Sequence, residues 1–126
     1  MAGTHTVLVV DDEPSLRLLC RVNLELEGFR VLEAGTLDEA RRTLEADMPE
    51  VVLLDVHIAG EDGRDLLEEL RASESPVKVV MLTGSVDVTL GHFDAADRVV
   101  VKPFEPLELV AVVRQLVGAA PVDSTA

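Results

Sequence analysis

Val51-Val52-Leu53-Leu54-Asp55 sets four apolar side chains in succession directly before a carboxylate. Two of the four are β-branched and turn formers follow closely, so the run reads as a strand buried on both faces, the pattern of a central strand in a parallel sheet. A carboxylate at the end of such a strand loses several kcal/mol of hydration unless a cation, a hydrogen bond or an open crevice receives it. Asp55 therefore needs partners.

Other apolar runs show where these lie. Residues 7–10 stop at Asp11 and Asp12, residues 77–82 at Thr83 and Gly84, and residues 99–101 at Lys102 and Pro103. If the strands are parallel and adjacent, these ends converge on one crevice at the carboxyl edge of the sheet, where open α/β sheets bind ligands.

Between the runs the chain alternates. Strand one covers residues 6–10. Residues 14 to about 27 are expected to be helical, with Leu16, Leu19, Cys20 and Asn23 on the inner face and Gly28 closing the helix. Strand two covers residues 29–33. Thr36 and Glu39 form a capping box for a helix that turns Leu37, Ala40 and Leu44 inward and ends at Pro49. After strand three at residues 51–54, a helix starts near Asp62 or Gly63 and buries Leu66, Leu67 and Leu70. The acidic run 61–74, with Arg64 and Arg71 interspersed, reads as a solvated helix face. Strand four covers residues 77–82 and strand five residues 98–101. Pro106 opens a last helix with Leu107, Val110, Ala111 and Val117 inward.

Composition sets outer bounds. With 126 residues, 48% of them hydrophobic, the chain has material for one core and one domain, expected over residues 1–118, with 119–126 a tail or the start of a linker. No apolar run approaches a membrane span and the start has no basic, apolar leader, so the expectation is a cytoplasmic protein without membrane insertion. The formal charge of -13 has the wrong sign for direct binding to nucleic acid and points to protein partners, metal or solubility. Cys20 is the single cysteine and is read as a packing residue. His5, His57 and His92 have no metal-binding spacing and read as surface or loop residues.

Five strand-helix units favour a parallel sheet covered on both faces, a doubly wound α/β fold. Asp11, Asp12 and Asp55 share a site only if strands one and three are neighbours, with strand two outside them. The order 2-1-3-4-5 satisfies this. Three carboxylates held together repel one another, so one stays protonated or a hard divalent cation neutralises them; Mg²⁺ suits, with its oxygen ligands, retained waters and affinity for phosphate.

Taken together, Val9-Val10-Asp11-Asp12-Glu13, Leu53-Leu54-Asp55, Asp62-Gly63, Thr83-Gly84 and Lys102-Pro103-Phe104 resemble the receiver domain of bacterial two-component response regulators. The resemblance covers residues 6 to about 118 and implies the flavodoxin-like receiver fold with the same strand order. It implies that Asp12 and Asp55 bind Mg²⁺ directly, Asp11 through water, and the backbone carbonyl of His57 completes the protein ligands. Asp55 would then take a phosphoryl group from a phosphohistidine on a histidine kinase or histidine phosphotransfer protein, forming an acyl phosphate that water hydrolyses slowly. Lys102 and the Thr83 hydroxyl would bind phosphoryl oxygens. A cis peptide between Lys102 and Pro103 is also implied, as is a downstream protein or a covalently linked output domain that reads the switch. Two charge-assisted hydrogen bonds at about 1.5 to 3 kcal/mol each supply roughly the 5.5 kcal/mol that inverts a 1:99 equilibrium.

The chain departs from the family pattern in three places. Val99 stands where an aromatic switch residue is usual, Ala59 where a proline is usual, and Thr83 lies closer to Lys102 in sequence than is usual. Residues 85–96 alternate with a period of two and carry poor helix formers, so the fourth helix is expected to be short or irregular. Two other functions stay open on sequence grounds. One is an interaction module of receiver fold that works without phosphorylation. The other is a small phosphatase using an Asp nucleophile, against which stand His57 in place of a second acid and the lack of an evident cap domain. Taken singly, Asp11 and Asp12 also read as helix caps, Thr83 as a cap and Lys102 as a solvated residue beside a turn.

Overall fold

Residues 51–55 form strand β3 (Val51–Asp55), buried along its whole length and paired in parallel with a strand on either side. The computed structural model describes residues 4–84 and 93–118. Within them β1 (Thr6–Val10) is followed by α1 (Pro14–Leu26), β2 (Arg30–Ala34), α2 (Leu37–Asp47) and β3. Then come the short strands β4 (His57–Ile58) and β5 (Glu61–Asp62), then α3 (Gly63–Ala72), β6 (Lys78–Thr83), β7 (Arg98–Val101) and α4 (Pro106–Leu116). The main sheet has the order β2-β1-β3-β6-β7 with every neighbouring pair parallel, which is the expected 2-1-3-4-5 order of the five long strands.

Strand alternation divides the core into two layers. Val7, Val9, Leu53, Val80, Leu82 and Val100 face α1 and α4, meeting Cys20, Leu24, Leu109 and Val113. Leu8, Val10, Leu54, Val79 and Met81 face α2 and α3, meeting Leu37, Ala40, Leu66, Leu67 and Leu70. Each fully buried Leu or Val contributes roughly 1.5 to 3 kcal/mol, so a slip of one residue in β3 would exchange the two layers at large cost.

Helix boundaries follow local chemistry. Gly28, at φ 94°, ends α1 in a Schellman arrangement: its N–H donates to the Glu25 carbonyl and the Phe29 N–H to that of Leu24. Thr36 caps α2 by accepting from the Glu39 N–H at 3.1 Å, while the Glu39 carboxylate reaches the Gly35 N–H instead of that of Thr36 itself. Asp62 caps α3 by accepting from the Arg64 N–H.

Several expectations need correction. In α1 the buried residues are Cys20 and Leu24, with Leu16 packed beside them, whereas Leu19 is 41% exposed and the Asn23 amide donates to its own helix at the Leu19 carbonyl. The true stripe is rotated by one position, because Asn23 gains nothing from an apolar layer that Leu24 fills. In α4 the buried side chains are Leu109, Val110, Val112 and Val113, and Val117 packs partly buried against the same layer as expected; Leu107 is 70% exposed and Ala111 is also exposed. Apolar residues surround that helix, so periodicity left its phase open. Strands β2 and β6 run one residue later than expected, and the β4–β5 hairpin was not foreseen. Arg71 is more than a solvated side chain: it donates to the carbonyls of Val77 and Ala95 and to the Asp97 carboxylate, tying α3 to the chain entering β7. Of the irregular segment expected at 85–96, residues 85–92 lie outside the described residues, and Phe93 to Ala96 form a turn closed by a 3.0 Å hydrogen bond.

Cys20 is 1% exposed, and burial pushes its thiol up to about 12. It is expected to resist a disulfide reagent at neutral pH in the folded protein and to react fully in denaturant, which a spectrophotometric thiol titration checks.

Candidate functional site

The carboxyl ends of β1, β3 and β7 bring one set of side chains together, and the period of two explains which. Counting on from Val9, Leu53 and Val100, which share one face, Asp11, Asp55 and Lys102 have the same parity. They therefore emerge on the same side of the sheet edge. Lys102 Nζ lies 2.7 Å from Asp55 Oδ2 and 3.4 Å from Asp11 Oδ2. Asp11 is 1% and Asp55 7% exposed, while the Lys102 side chain retains 29%. The lysine thus closes a buried acidic pair from its open side.

Backbone contacts set each member. Asp11 Oδ1 accepts from the Glu13 N–H at 2.9 Å and Asp55 Oδ1 from the His57 N–H at 3.3 Å. The Lys102 N–H donates to the Thr83 carbonyl at 2.7 Å, and the Lys102-Pro103 peptide bond is cis. Asp12 is exposed, and its Oδ2 accepts from the Ala59 N–H at 2.8 Å, linking the β1–α1 loop to the β4–β5 hairpin. His57, in β4, stands opposite Asp62 in that hairpin.

Thr83 is buried at the end of β6, on the parity of Met81 and hence of the α2/α3 layer. Its hydroxyl donates to the Gly84 carbonyl at 3.2 Å, so it reaches none of the three acids in this arrangement. Val99 pairs with Met81 and is 37% exposed.

The electrostatics follow from crowding. Burial first, then the Asp55 carboxyl alongside, raise Asp11 to about 6, against the lowering effects of the Glu13 N–H and Lys102. For Lys102, burial favours the neutral amine, but the hydrogen bond and charge of Asp55, joined by Asp11, outweigh it and hold the ammonium above the ordinary lysine value. Among the described residues no group of three or more His, Cys, Asp or Glu side chains is placed to hold a metal ion by itself. The buried Asp11 and Asp55 carboxylates, with Asp12 next in the chain and turned to the Ala59 N–H, offer a small, open set of hard oxygen donors. That fits Mg²⁺, which keeps several waters and shares its sphere with phosphate, better than metals that demand full protein ligation.

Two features around the site escaped the sequence reading. Ala59 has φ 50° and Gly60 φ 82°, the paired left-handed conformation of a two-residue hairpin turn. Ala59→Gly is expected to raise the melting temperature by a few degrees, since a left-handed alanine carries about 1 kcal/mol of strain; a calorimetric scan checks it. The other feature is Arg17. It lies at i, i+3, i+7 with the buried Cys20 and Leu24, a cation in the apolar register of α1, which is the signal that was available.

A doubly wound sheet whose switch point holds an acidic crevice answered by one lysine belongs to the receiver class of signalling domains. Residues 7–114 match the family described as response regulator receiver domain, and the chain belongs to that family. It is 44% identical over 111 residues to the DNA-binding response regulator MtrA of Mycolicibacterium smegmatis, covering 86% of this chain and 48% of that protein. It is 38% identical over 125 residues to the transcriptional regulatory protein AruR of Pseudomonas aeruginosa, covering 93% and 51%. The chain thus spans about half the length of these curated relatives. The crystal structure of the response regulator TrrA of Thermotoga maritima, in complex with Mg(2+)-BeF, superposes with a TM-score of 0.82 at 32% identity, covering 90% of this chain and 99% of that one.

Proposed function

We propose that this receiver domain is an Mg²⁺-dependent phosphoacceptor in which Asp55 takes the phosphoryl group from a phosphohistidine of a histidine kinase or histidine phosphotransfer protein. The observation that carries this reading is the Asp55 carboxylate, ending a buried central strand beside Asp11, with Lys102 Nζ at 2.7 Å. Asp12 and Asp55 would hold Mg²⁺, with Asp11 through water and the His57 carbonyl. When bound, the cation neutralises the acids and the incoming phosphoryl oxygens.

An Asp55 oxygen attacks phosphorus as the bond to the donor nitrogen breaks, and the donor imidazole leaves. Lys102 exchanges its contact with Asp55 for one with a phosphoryl oxygen, and Thr83 turns its hydroxyl from the Gly84 carbonyl to another. Because the Lys102 N–H binds the Thr83 carbonyl, a shift of either residue is felt by the other. Val99, paired with Met81 two steps before these ends, has no ring or hydroxyl, so switching runs through Thr83, Lys102 and the backbone of β6 and β7.

An apolar face of α1, with Leu18, Leu19, Val22 and Leu26 exposed, borders a groove formed by Glu13, Leu16, Leu19, Lys102, Pro103 and Phe104 and offers a partner the way to Asp55. The curated relatives are about twice as long, which supports a covalently linked output domain or a separate downstream protein as the reader of the switch. The domain runs over residues 1–118, with 119–126 a tail or the start of a linker. The charge of -13 supports leaving any nucleic-acid contact to that partner. Among the described residues no helix is long and apolar enough to cross a membrane, and a kinase-fed switch of this kind acts in the cytoplasm.

Incubation with Mg²⁺ and a small phosphodonor is expected to add the mass of one phosphoryl group, and chelation to prevent it. No adduct would favour an interaction module without phosphorylation. Continuous phosphate release with no adduct would favour a hydrolase.

A further inference from the structure

Arg17 sits behind the acidic crevice. Its Nη1 donates to the main-chain carbonyl of Asp11 at 2.6 Å, and its Nε to Glu33 Oε1 of β2 at 3.0 Å. Arg21 Nη1 holds the other Glu33 oxygen at 2.9 Å, so the carboxylate that orients Arg17 is itself fixed. The Arg17 and Glu33 side chains keep only 19% and 27% of their exposure.

A second observation comes from Gly35. Its φ is not in the left-handed region, so conformation does not demand glycine there. A Cβ built on it would lie 3.1 Å from Arg17 Nη1. A side chain there would press on the guanidinium, which would have to give way by a few tenths of an ångström.

The Asp11 carbonyl belongs to the peptide that joins Asp11 to Asp12, and the Asp11 N–H is held from the other side by the Ala34 carbonyl at 3.1 Å. Rotation of the Asp11-Asp12 peptide redirects both carboxylates at once. Arg17 opposes that rotation with a planar, two-pronged donor that a lysine does not reproduce.

We infer that Arg17, oriented by Glu33 and given room by Gly35, is a positioning residue of the divalent-cation site, setting the aim of Asp11 and Asp12 through the peptide between them. This rests on the Mg²⁺-dependent reading of the site. Groups that orient the ligands of a metal affect affinity about 10- to 100-fold when lost.

The test measures the Mg²⁺ concentration at half-maximal effect in two ways: the thermal shift of the full chain with Mg²⁺ alone, and the rate of labelling by a small phosphodonor. Arg17→Met is expected to raise that concentration about tenfold while the rate at saturating Mg²⁺ stays near wild type, with Arg17→Lys only partly restoring it. Gly35→Ala, which removes no functional group, is expected to shift the midpoint in the same direction by a smaller factor. A general loss of packing would instead lower the melting temperature in chelator and leave the midpoint in place. Folded Arg17→Met with a wild-type midpoint overturns the inference, as does a loss of rate in equal proportion at every Mg²⁺ concentration. If Arg17→Met does not fold, the midpoint of Gly35→Ala decides. Absence of any Mg²⁺ effect on the wild-type protein removes the functional reading and the inference with it.

Discussion

Asp55→Asn protein is expected to fold, to melt within a few degrees of wild type in chelator, and to take up no phosphoryl group from any donor in the presence of Mg²⁺. The stability expectation comes from two opposed changes. The amide loses its charged contact with Lys102 at 2.7 Å, worth about 1 to 3 kcal/mol, and removes the repulsion from Asp11, whose carboxyl already sits near 6. Because the side chain keeps its shape, Asn also retains an oxygen for the His57 N–H. The chemical expectation is all or none, since an amide oxygen lacks the negative charge that makes the carboxylate a phosphoryl acceptor. Intact-mass spectrometry after incubation reads the result. A wild-type level of adduct on the Asn variant would place the acceptor elsewhere; no adduct on a folded variant whose thermal shift still responds to Mg²⁺ would locate it at Asp55.

Gly63→Ala has the largest expected effect on stability, and it reaches the same residue from behind. A Cβ on Gly63 would lie 2.1 Å from the Asp55 carbonyl oxygen and 3.3 Å from Leu54 Cγ. No side-chain rotation relieves a clash with backbone, so either α3 or the end of β3 must move. The Gly63 N–H also donates to the Val56 carbonyl at 2.6 Å, which that movement breaks. Overpacking and a lost buried hydrogen bond together suggest a loss of about 3 to 5 kcal/mol. For a domain of this size that is a fall in melting temperature on the order of 10 °C or more. Gly60 is the control, because it has φ 82° but nothing within 4 Å of a built Cβ. Gly60→Ala meets only backbone strain of about 1 kcal/mol. Labelling of any folded Gly63→Ala protein should be slowed, since Asp55 is displaced with its own backbone. Equal melting temperatures for the two alanine variants would show that α3 absorbs the clash without cost.

Within the acidic crevice the capping readings of Asp11 and Asp12 fail, because the N-cap of α1 is Glu13 and no side chain caps that helix. Asp11 instead accepts the N–H of Glu13 in a turn ahead of the helix, and its other oxygen lies 3.4 Å from Lys102 Nζ. Thr83 likewise satisfies its hydroxyl locally on Gly84. The Thr83 contact is a neutral hydrogen bond contributing about 1 kcal/mol net, weak enough for that donor to turn to a phosphoryl oxygen.

What the order of amino acids determined by itself is the part governed by period and by chain ends. Four apolar residues before Asp55 pointed to a central strand, the alternation of strand and helix to parallel pairing, and the polar residues that end each apolar run to one crevice at the carboxyl edge. Helix starts at Thr36 and Asp62 and the stop at Gly28 were equally legible, because capping and positive φ are satisfied within a few residues. The phases of α1 and α4 were not, because apolar residues lie on more than one side of each helix and only the shape of the facing layer selects Leu24 over Asn23 or Val113 over Ala111. Nor could local pattern reveal that Gly63 and Gly35 are needed for approach and not for conformation, that Ala59 reaches Asp12 through its N–H, or that Arg17 reaches the Asp11 carbonyl. Each of those contacts has backbone at one end, and backbone N–H and C=O groups are the same at every residue but proline; a cation in an apolar register, as at Arg17, shows that a partner exists, and only the closed fold shows which.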